Sequence, residues 1–200
     1  MFKIDNVNVY GLENAIKVAK YPMATDVDKL TSEVTPRTKG LFSADIGSGH
    51  DNALKGITVH FDMRFSIKMS VELERYHFID FISSQSTMHR ITKLDVRQQC
   101  NQYVDEVIIN RLQELVDKYE VITDKSSIEA KEQYLVVLYN IPTGFELTTG
   151  LVTNYQQLKT MYFQRRNHRL PEWRQFCAWV ETLPMFKELI LDPMEEKKNK

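Results

Sequence analysis

The chain is poor in cysteine, carries no surplus of charge and has no long apolar run, and each shortage removes a class of protein. Its two cysteines, Cys100 and Cys177, lie far apart and lack the spacing of metal ligands. Each falls within a helical pattern, so two buried free thiols in a reducing compartment are expected rather than a disulfide. Lys and Arg number 26 against 27 Asp and Glu, a net charge of −1. No global field would draw in nucleic acid or a membrane surface, and any anion must be held by a local cluster. No stretch approaches the ~18 apolar residues of a membrane span. The N-terminal MFKIDNVNVYG lacks the basic start and apolar core of a signal peptide. A cytoplasmic protein is expected. Histidines 50, 60, 77, 89 and 168 show no HExxH or comparable spacing, so no metal site is expected.

What is present is an ordinary amount of apolar chain. Two hundred residues at 42% hydrophobic suit one domain with a substantial core. No repeat, low-complexity linker or composition break divides residues 1–193, and only the tail 194–200, MEEKKNK, reads as solvated and frayed. Phe2, Ile4, Val7 and Val9 predict a first strand ending near Gly11, with a short helix from Leu12 to Tyr21. Pro22 to Gly49 reads as loops around one short helix. The clearest element follows. Ile57, Val59, Phe61, Met63 and Phe65 alternate with Thr58, His60, Asp62 and Arg64, which predicts a strand with the first set in the core.

Ser66 can cap the next helix. Its apolar positions, Ile67, Met69, Val71 and Leu73, spread around the axis and predict burial on more than one side, as in an oligomer interface. An amphipathic helix is predicted over 99–119, a weaker one over 127–139, a strand or extended turn over 144–152, and helices over 154–165 and 171–182. Strands and helices do not alternate regularly, so the fold class is α+β.

Three constellations carry polar chemistry. Gly49-His50 places a histidine at the mouth of the sheet. Arg75-Tyr76-His77 ends a helix and leads into Ser83, Ser84, Gln85 and Ser86, followed by His89 and Arg90. The arginine and histidine can present donors to a phosphate or a ring carbonyl, the tyrosine can stack on an aromatic ring, and the serines offer hydroxyls and amides to a phosphate. In the third, Tyr155, Leu158, Met161, Tyr162 and Arg165 share one helical face. An arginine that continues an apolar face is costly unless it snorkels or meets an anion or carbonyl. Helix C-terminal placement alone accounts for one or two of Arg165, Arg166 and Arg169.

The run SGHDNALKGITVHFDMRFSIKMSVELERYHFIDFISSQSTMHR resembles the signature region of the flavin-dependent thymidylate synthases. That family follows Gly-His with a strand, a helix, an Arg-His-Arg triplet and a serine-rich nucleotide loop. TNYQQLKTMYFQRRNHRLPEWRQF is similar to the family's C-terminal helix, which begins Asn-Ala-Arg-Ser-Leu and ends in Leu-Arg before a His-Ala-Gln-Trp-Glu turn. Asn154 and Leu158 match that helix, and Glu172-Trp173 match the turn. The resemblance runs over about residues 7–183, with its landmarks in order.

The resemblance implies an α+β fold with a small, mainly antiparallel sheet flanked by helices, and a homotetramer binding FAD between subunits. It implies methylation of dUMP to dTMP, with methylenetetrahydrofolate and NADPH as co-substrates. Arg165, or Arg166 with a one-residue shift, takes the place of the catalytic arginine that holds and polarises the uracil, and His50 that of a histidine needed for activity. Arg75, Tyr76, His77 and Asn154 fall on flavin-binding positions. Glu72 stands where a glutamine holds the pyrimidine. Ser84, Gln85, Ser86 and Arg90 fall on the nucleotide loop, and Lys131 stands in the region of a phosphate-binding arginine. The alternative is a non-catalytic or repurposed homologue of the same fold that binds nucleotide or flavin.

Overall fold

The alternating run forms the strand it predicts. In the computed structural model, which describes residues 2–198, Ile57, Val59, Phe61, Met63 and Phe65 are all buried, while the residues between them are half-buried or exposed. This strand, β2 (Thr58–Ser66), lies within a four-stranded antiparallel sheet with β1 (Lys3–Tyr10), β3 (Ile79–Ser84) and β4 (Glu146–Asn154), in the order β1-β2-β4-β3. Helices surround the strands in sequence. They are α1 (Leu12–Val18), α2 (Pro36–Phe42), α3 (Ile67–Leu73), α4 (Thr87–Arg90), α5 (Val96–Gln99), α6 (Glu106–Glu120), α7 (Ile128–Tyr139), α8 (Tyr155–Arg165), α9 (Pro171–Val180) and α10 (Asp192–Lys198). The α+β class and the small antiparallel sheet agree with the sequence expectation.

Capping explains several boundaries. Ser66 Oγ accepts from the Met69 amide at 3.2 Å, so the expected cap of α3 is present. Asp105 accepts from the Val107 amide and opens α6 at Glu106, seven residues later than the spacing predicts. Before it, Cys100 bridges to Phe145, the Asn101 amide donates to the Gly144 carbonyl, and a turn closes with the Val104 amide on the Asn101 carbonyl. Ser127 caps α7 and Asn154 caps α8 in the same way. Gly11 turns β1 into α1 at φ +79°, with its α-carbon so close to Gly56 that a β-carbon would lie 2.2 Å from that carbonyl oxygen.

The chain divides into two compact units, each discontinuous in sequence. The first holds Asp62–Arg75 and Phe81–Gly150 with the opening residues. Its core joins Ile91, Val96, Ile109, Leu112, Leu115, Val116, Val137 and Phe145. Beside that core Arg64 Nε meets the buried Glu146 carboxylate at 3.1 Å and its guanidinium also donates to the Gln98 carbonyl. Cys100, expected to be buried, is half-buried, and burial followed by the Glu146 charge pushes its thiol pKa up. Val71 is 55% exposed, while Met69 and Leu73 of α3 turn fully inward.

The second unit holds Asn6–Phe61, Tyr76–Asp80 and the chain from Leu151 onward. Phe61, Phe176 and Trp179 pack with ring centroids 4.7 to 6.4 Å apart, and Tyr155 meets Phe186 edge-on at 5.2 Å. Lys159 is fully buried in the same unit. Its ammonium donates to Asp51 Oδ2 at 2.7 Å, to the Phe42 carbonyl at 3.0 Å and to the Ala44 carbonyl. Residues 194–198 of the expected tail continue helix α10, where Lys197 donates to the Ser43 carbonyl at 3.0 Å, and 199–200 lie outside the described residues.

Candidate functional site

Arg165 ends α8 on the face that Tyr155, Leu158, Met161 and Tyr162 make apolar, and two aromatic rings receive it. Its Nε donates to the Tyr76 hydroxyl at 2.8 Å. Its guanidinium carbon lies 5.5 Å from the Tyr76 ring centre and 4.9 Å from that of Trp173. Tyr76 in turn donates to Gln164 Oε1 at 2.9 Å and meets Trp173 edge-on at 5.9 Å. The cost of a cation on an apolar face is thus met by aromatic faces and one hydroxyl. Arg166 takes a different seat, over Phe163 at 5.2 Å and Tyr162 at 6.0 Å.

His50 follows Gly49, which has φ +78°, and is exposed in a turn. The residue after it, Asp51, is 1% exposed and anchors the turn. Besides Lys159, Asp51 accepts from Gln156 Nε2 at 2.8 Å, so the segment behind His50 is tied to α8 from within. Arg75 and His77 are exposed on either side of Tyr76, and neither forms an ion pair with a carboxylate among the described residues. Asn154 spends its Oδ1 on the Gln157 amide at the start of α8. Next to it Thr153 donates to the Phe78 carbonyl at 2.6 Å, pinning the segment that carries Tyr76.

The polar run after the triplet is less of a loop than expected. Ser83 and Ser84 belong to β3, exposed along almost its whole length. Gln85 extends the pairing: its amide donates to the Thr148 carbonyl, and its Oε1 accepts from the Thr148 amide, each at 2.9 Å. Ser86 precedes α4 without a side-chain cap. Glu72 is half-buried and reaches Lys68 at 3.4 Å, one turn back on α3.

Arg90 ends α4 and faces a cleft of about 610 Å³ within the first unit. Lys93, Tyr119, Lys131, Tyr134 and Leu138 line the same cleft. Tyr119 and Tyr134 stack edge-on at 5.0 Å, and Tyr134 donates to the Met88 carbonyl at 3.1 Å. Glu120, the acid of this cleft, is held by Lys93 at 3.1 Å, and that hydrogen bond pulls its pKa down. Two aromatic walls with a surplus of cations suit a planar anion. Arg90 and Lys131, 41 positions apart in sequence, thus line one cleft.

Solved structures with the same arrangement of chain carry the comparison. A thymidylate synthase X from Helicobacter pylori, with FAD and dUMP, matches 98% of this chain over 100% of its own at a TM-score of 0.70 and 14% identity. The fold is that of a flavin-dependent thymidylate synthase. A second structure of the Helicobacter pylori enzyme, also with FAD and dUMP, matches 94% of the chain over 99% of its own at 0.66 and 13% identity. A UMP/dUMP methylase, PolB from Streptomyces cacaoi, bound with 5-Br dUMP, matches 100% over 95% at 0.59 and 16% identity. No protein-family model and no curated protein matches the sequence. At these identities the likeness to thymidylate synthase shows the fold alone.

On this synthase fold, the structure joins Tyr76 to Arg165, and Arg90 to Lys131, as members of two separate groups. Among the described residues, no hydrogen bond joins His50, Arg75 or His77 to either group. Trp173, matched in the sequence to the turn after the terminal helix, turns out to support Arg165. Its place four residues before Cys177 and three before Phe176 signals core and nothing more. Asp51 and Lys159 gave no signal in sequence, since a lone acid beside Gly-His and a lysine in a helix are ordinarily solvated.

Proposed function

We propose that this protein methylates dUMP to dTMP in the manner of a flavin-dependent thymidylate synthase, with methylenetetrahydrofolate as carbon donor and NADPH as reductant. The observation that carries the reading is the end-to-end structural match to a thymidylate synthase holding FAD and dUMP, over 98% of this chain. Arg165 on the matching terminal helix supports it, because a guanidinium held between aromatic rings is poised to polarise a pyrimidine carbonyl.

The donor set fits FAD. Arg75, His77 and His50 are exposed bases that form no ion pair with a carboxylate among the described residues, which suits the phosphates and ring carbonyls of an anionic dinucleotide. When bound, the flavin supplies the two-electron redox chemistry. This chain's own residues bind and orient: Arg75, His77 and His50 toward the cofactor, and Arg165 toward the pyrimidine. Ser84, Ser86 and Arg90, with Lys131, act toward the nucleotide phosphate, and Glu72 accepts a ring N–H. A homotetramer is part of the same reading. The exposed Phe81 and Ile82 of the edge strand β3, together with Val71, offer apolar surface for a second subunit to cover. Among the described residues no helix is long and apolar enough to cross a membrane. A cytoplasmic setting is proposed with the two free cysteines.

A second reading, a repurposed homologue without turnover, is favoured by one observation. Three polar groups at synthase-like positions are committed inside the protein: the Tyr76 hydroxyl, Asn154 Oδ1 and the Gln156 amide. The deciding experiment is a visible spectrum of the purified protein before and after incubation with FAD and desalting. A retained flavin band that shifts on adding dUMP supports the synthase. A retained band indifferent to dUMP points to another substrate, and a colourless protein removes the flavoenzyme reading.

A further inference from the structure

We propose that Tyr76 is a positioning residue for Arg165, fixing the plane in which the guanidinium is offered to a ligand. The hydrogen-bond directions allow one arrangement only. Arg165 Nε can only donate and Gln164 Oε1 can only accept, so the Tyr76 hydroxyl accepts from the first and donates to the second. This chain of two bonds, 2.8 and 2.9 Å long, starts and ends on adjacent residues of α8. Tyr76 therefore reads the helix end as a unit, and Arg165 cannot rotate about its Nε without breaking it.

The aromatic contacts add a second restraint. The guanidinium carbon lies within 6 Å of two ring centres, Tyr76 and Trp173, whose planes are inclined by 66°. Two inclined rings restrict tilt as well as distance. Trp173 is itself fully buried and packs on Phe176 at 5.7 Å, so one wall of the seat is rigid core. The other wall is the half-buried Tyr76, whose segment is pinned by Thr153 to the Phe78 carbonyl.

With Nε committed to Tyr76, the tyrosine sets the direction of the guanidinium that Arg165 presents to a carbonyl or phosphate. Tyr76 is then a support for the arginine rather than a stacking surface for a flavin. Its consequence for substrate rests on Arg165 holding the pyrimidine, as in the proposed synthase reaction.

Two measurements separate the holding from the reaction. The first needs no ligand. The side-chain Nε–H of Arg165, assigned in a nitrogen-15 NMR spectrum by its disappearance in Arg165→Lys, should be slow to exchange in the wild type. It should become fast in Tyr76→Phe, which keeps the ring and loses the hydroxyl. An unchanged exchange rate in Tyr76→Phe overturns the proposal.

The second is a double-mutant cycle on dUMP affinity by calorimetry. Tyr76→Phe should weaken dUMP binding roughly tenfold in the wild-type background, the scale of one hydrogen bond to a charged group. It should have no further effect in Arg165→Lys, which has no Nε to hold. Equal losses in both backgrounds mean that Tyr76 acts through general stability, and overturn the proposal. If Tyr76→Phe frees the Nε–H but neither it nor Arg165→Lys alters dUMP binding, the holding stands and the pyrimidine role of Arg165 falls.

Discussion

Asp51 and Lys159 meet at 2.7 Å with side chains 2% and 0% exposed, an ion pair withdrawn from water beneath the His50 turn. Burial pulls the Lys159 pKa down, and Asp51 pushes back against that shift. Two backbone carbonyls complete the ammonium's hydrogen bonds. Replacing Asp51 by Ala strands a buried cation, and such a break costs about 3–5 kcal/mol. Urea unfolding of Asp51→Ala should show that loss, and the double variant Asp51→Asn, Lys159→Met should recover much of it. A single-variant loss below about 1 kcal/mol would show that water reaches the pair.

Arg165→Ala should leave the fold intact, because the rings of Tyr76 and Trp173 still pack on each other. Formation of dTMP should fall at least about a hundredfold, the scale seen when one preorganised electrostatic donor is removed. Near-normal turnover by a variant with unchanged melting temperature takes Arg165 out of the chemistry.

The cleft lined by Arg90 and Lys131 predicts a discrimination rather than a general loss. Arg90→Ala and Lys131→Ala should each weaken dUMP roughly tenfold, as expected for one charge-assisted bond. Deoxyuridine, which has no phosphate, should bind both variants as it binds the wild type. Equal losses for nucleotide and nucleoside place the phosphate elsewhere.

Gly11 should tolerate no side chain. Alanine at φ +79° costs roughly 1–2 kcal/mol from conformation alone. Its β-carbon would also press on the Gly56 carbonyl oxygen, a backbone atom that cannot rotate away. Thermal unfolding of Gly11→Ala should show a loss larger than the conformational figure, and a smaller one would mean that the turn relaxes.

High pH should weaken the second unit through two groups. Burial, then the nearby Glu181 charge, pushes the Cys177 thiol up to about 12. Burial and the hydrogen bond to Glu181 push Tyr162 up to about 12 as well. A raised pKa means that the folded state keeps its proton where the unfolded chain loses it. Stability from Cys177 is therefore complete below about pH 9, the ordinary thiol value, and is lost as pH rises toward 12. Denaturant midpoints measured across that window should fall, and should fall less steeply in Cys177→Ala. Parallel slopes would remove the thiol as a cause.

The parts of the fold legible in the sequence are those in which one face is wet and the other dry. Ile57 to Phe65 show a two-residue period because β2 has such faces, and Ser66, Asn154 and Pro171 mark helix starts by local chemistry. The strand β3 leaves no such mark. Its residues Ile79–Ser84 lie at the sheet edge, and all but Ile79 are exposed, so no alternation is written into them. The start of α6 was misplaced because helical spacing continues through Val104, while Asp105 alone sets the cap.

For the candidate site, residue types were readable and pairings were not. Arg165 stood out as a cation on an apolar stripe, but nothing in the sequence ties it to a tyrosine 89 positions earlier. Such a link depends on Thr153 and Phe78 bringing two distant segments together.

The two units exchange the chain five times, after residues 5, 61, 75, 80 and 150. During synthesis the opening third, α1 and α2 included, leaves the ribosome long before α8 and α9, whose Tyr155, Lys159 and Trp173 complete its core. Phe42, Leu54 and Ile57 must then wait, solvent-facing, while about ninety intervening residues are made. The second unit, begun at Asn6, is the last to be finished. Until α8 and α9 emerge, the apolar core of that unit stays incomplete.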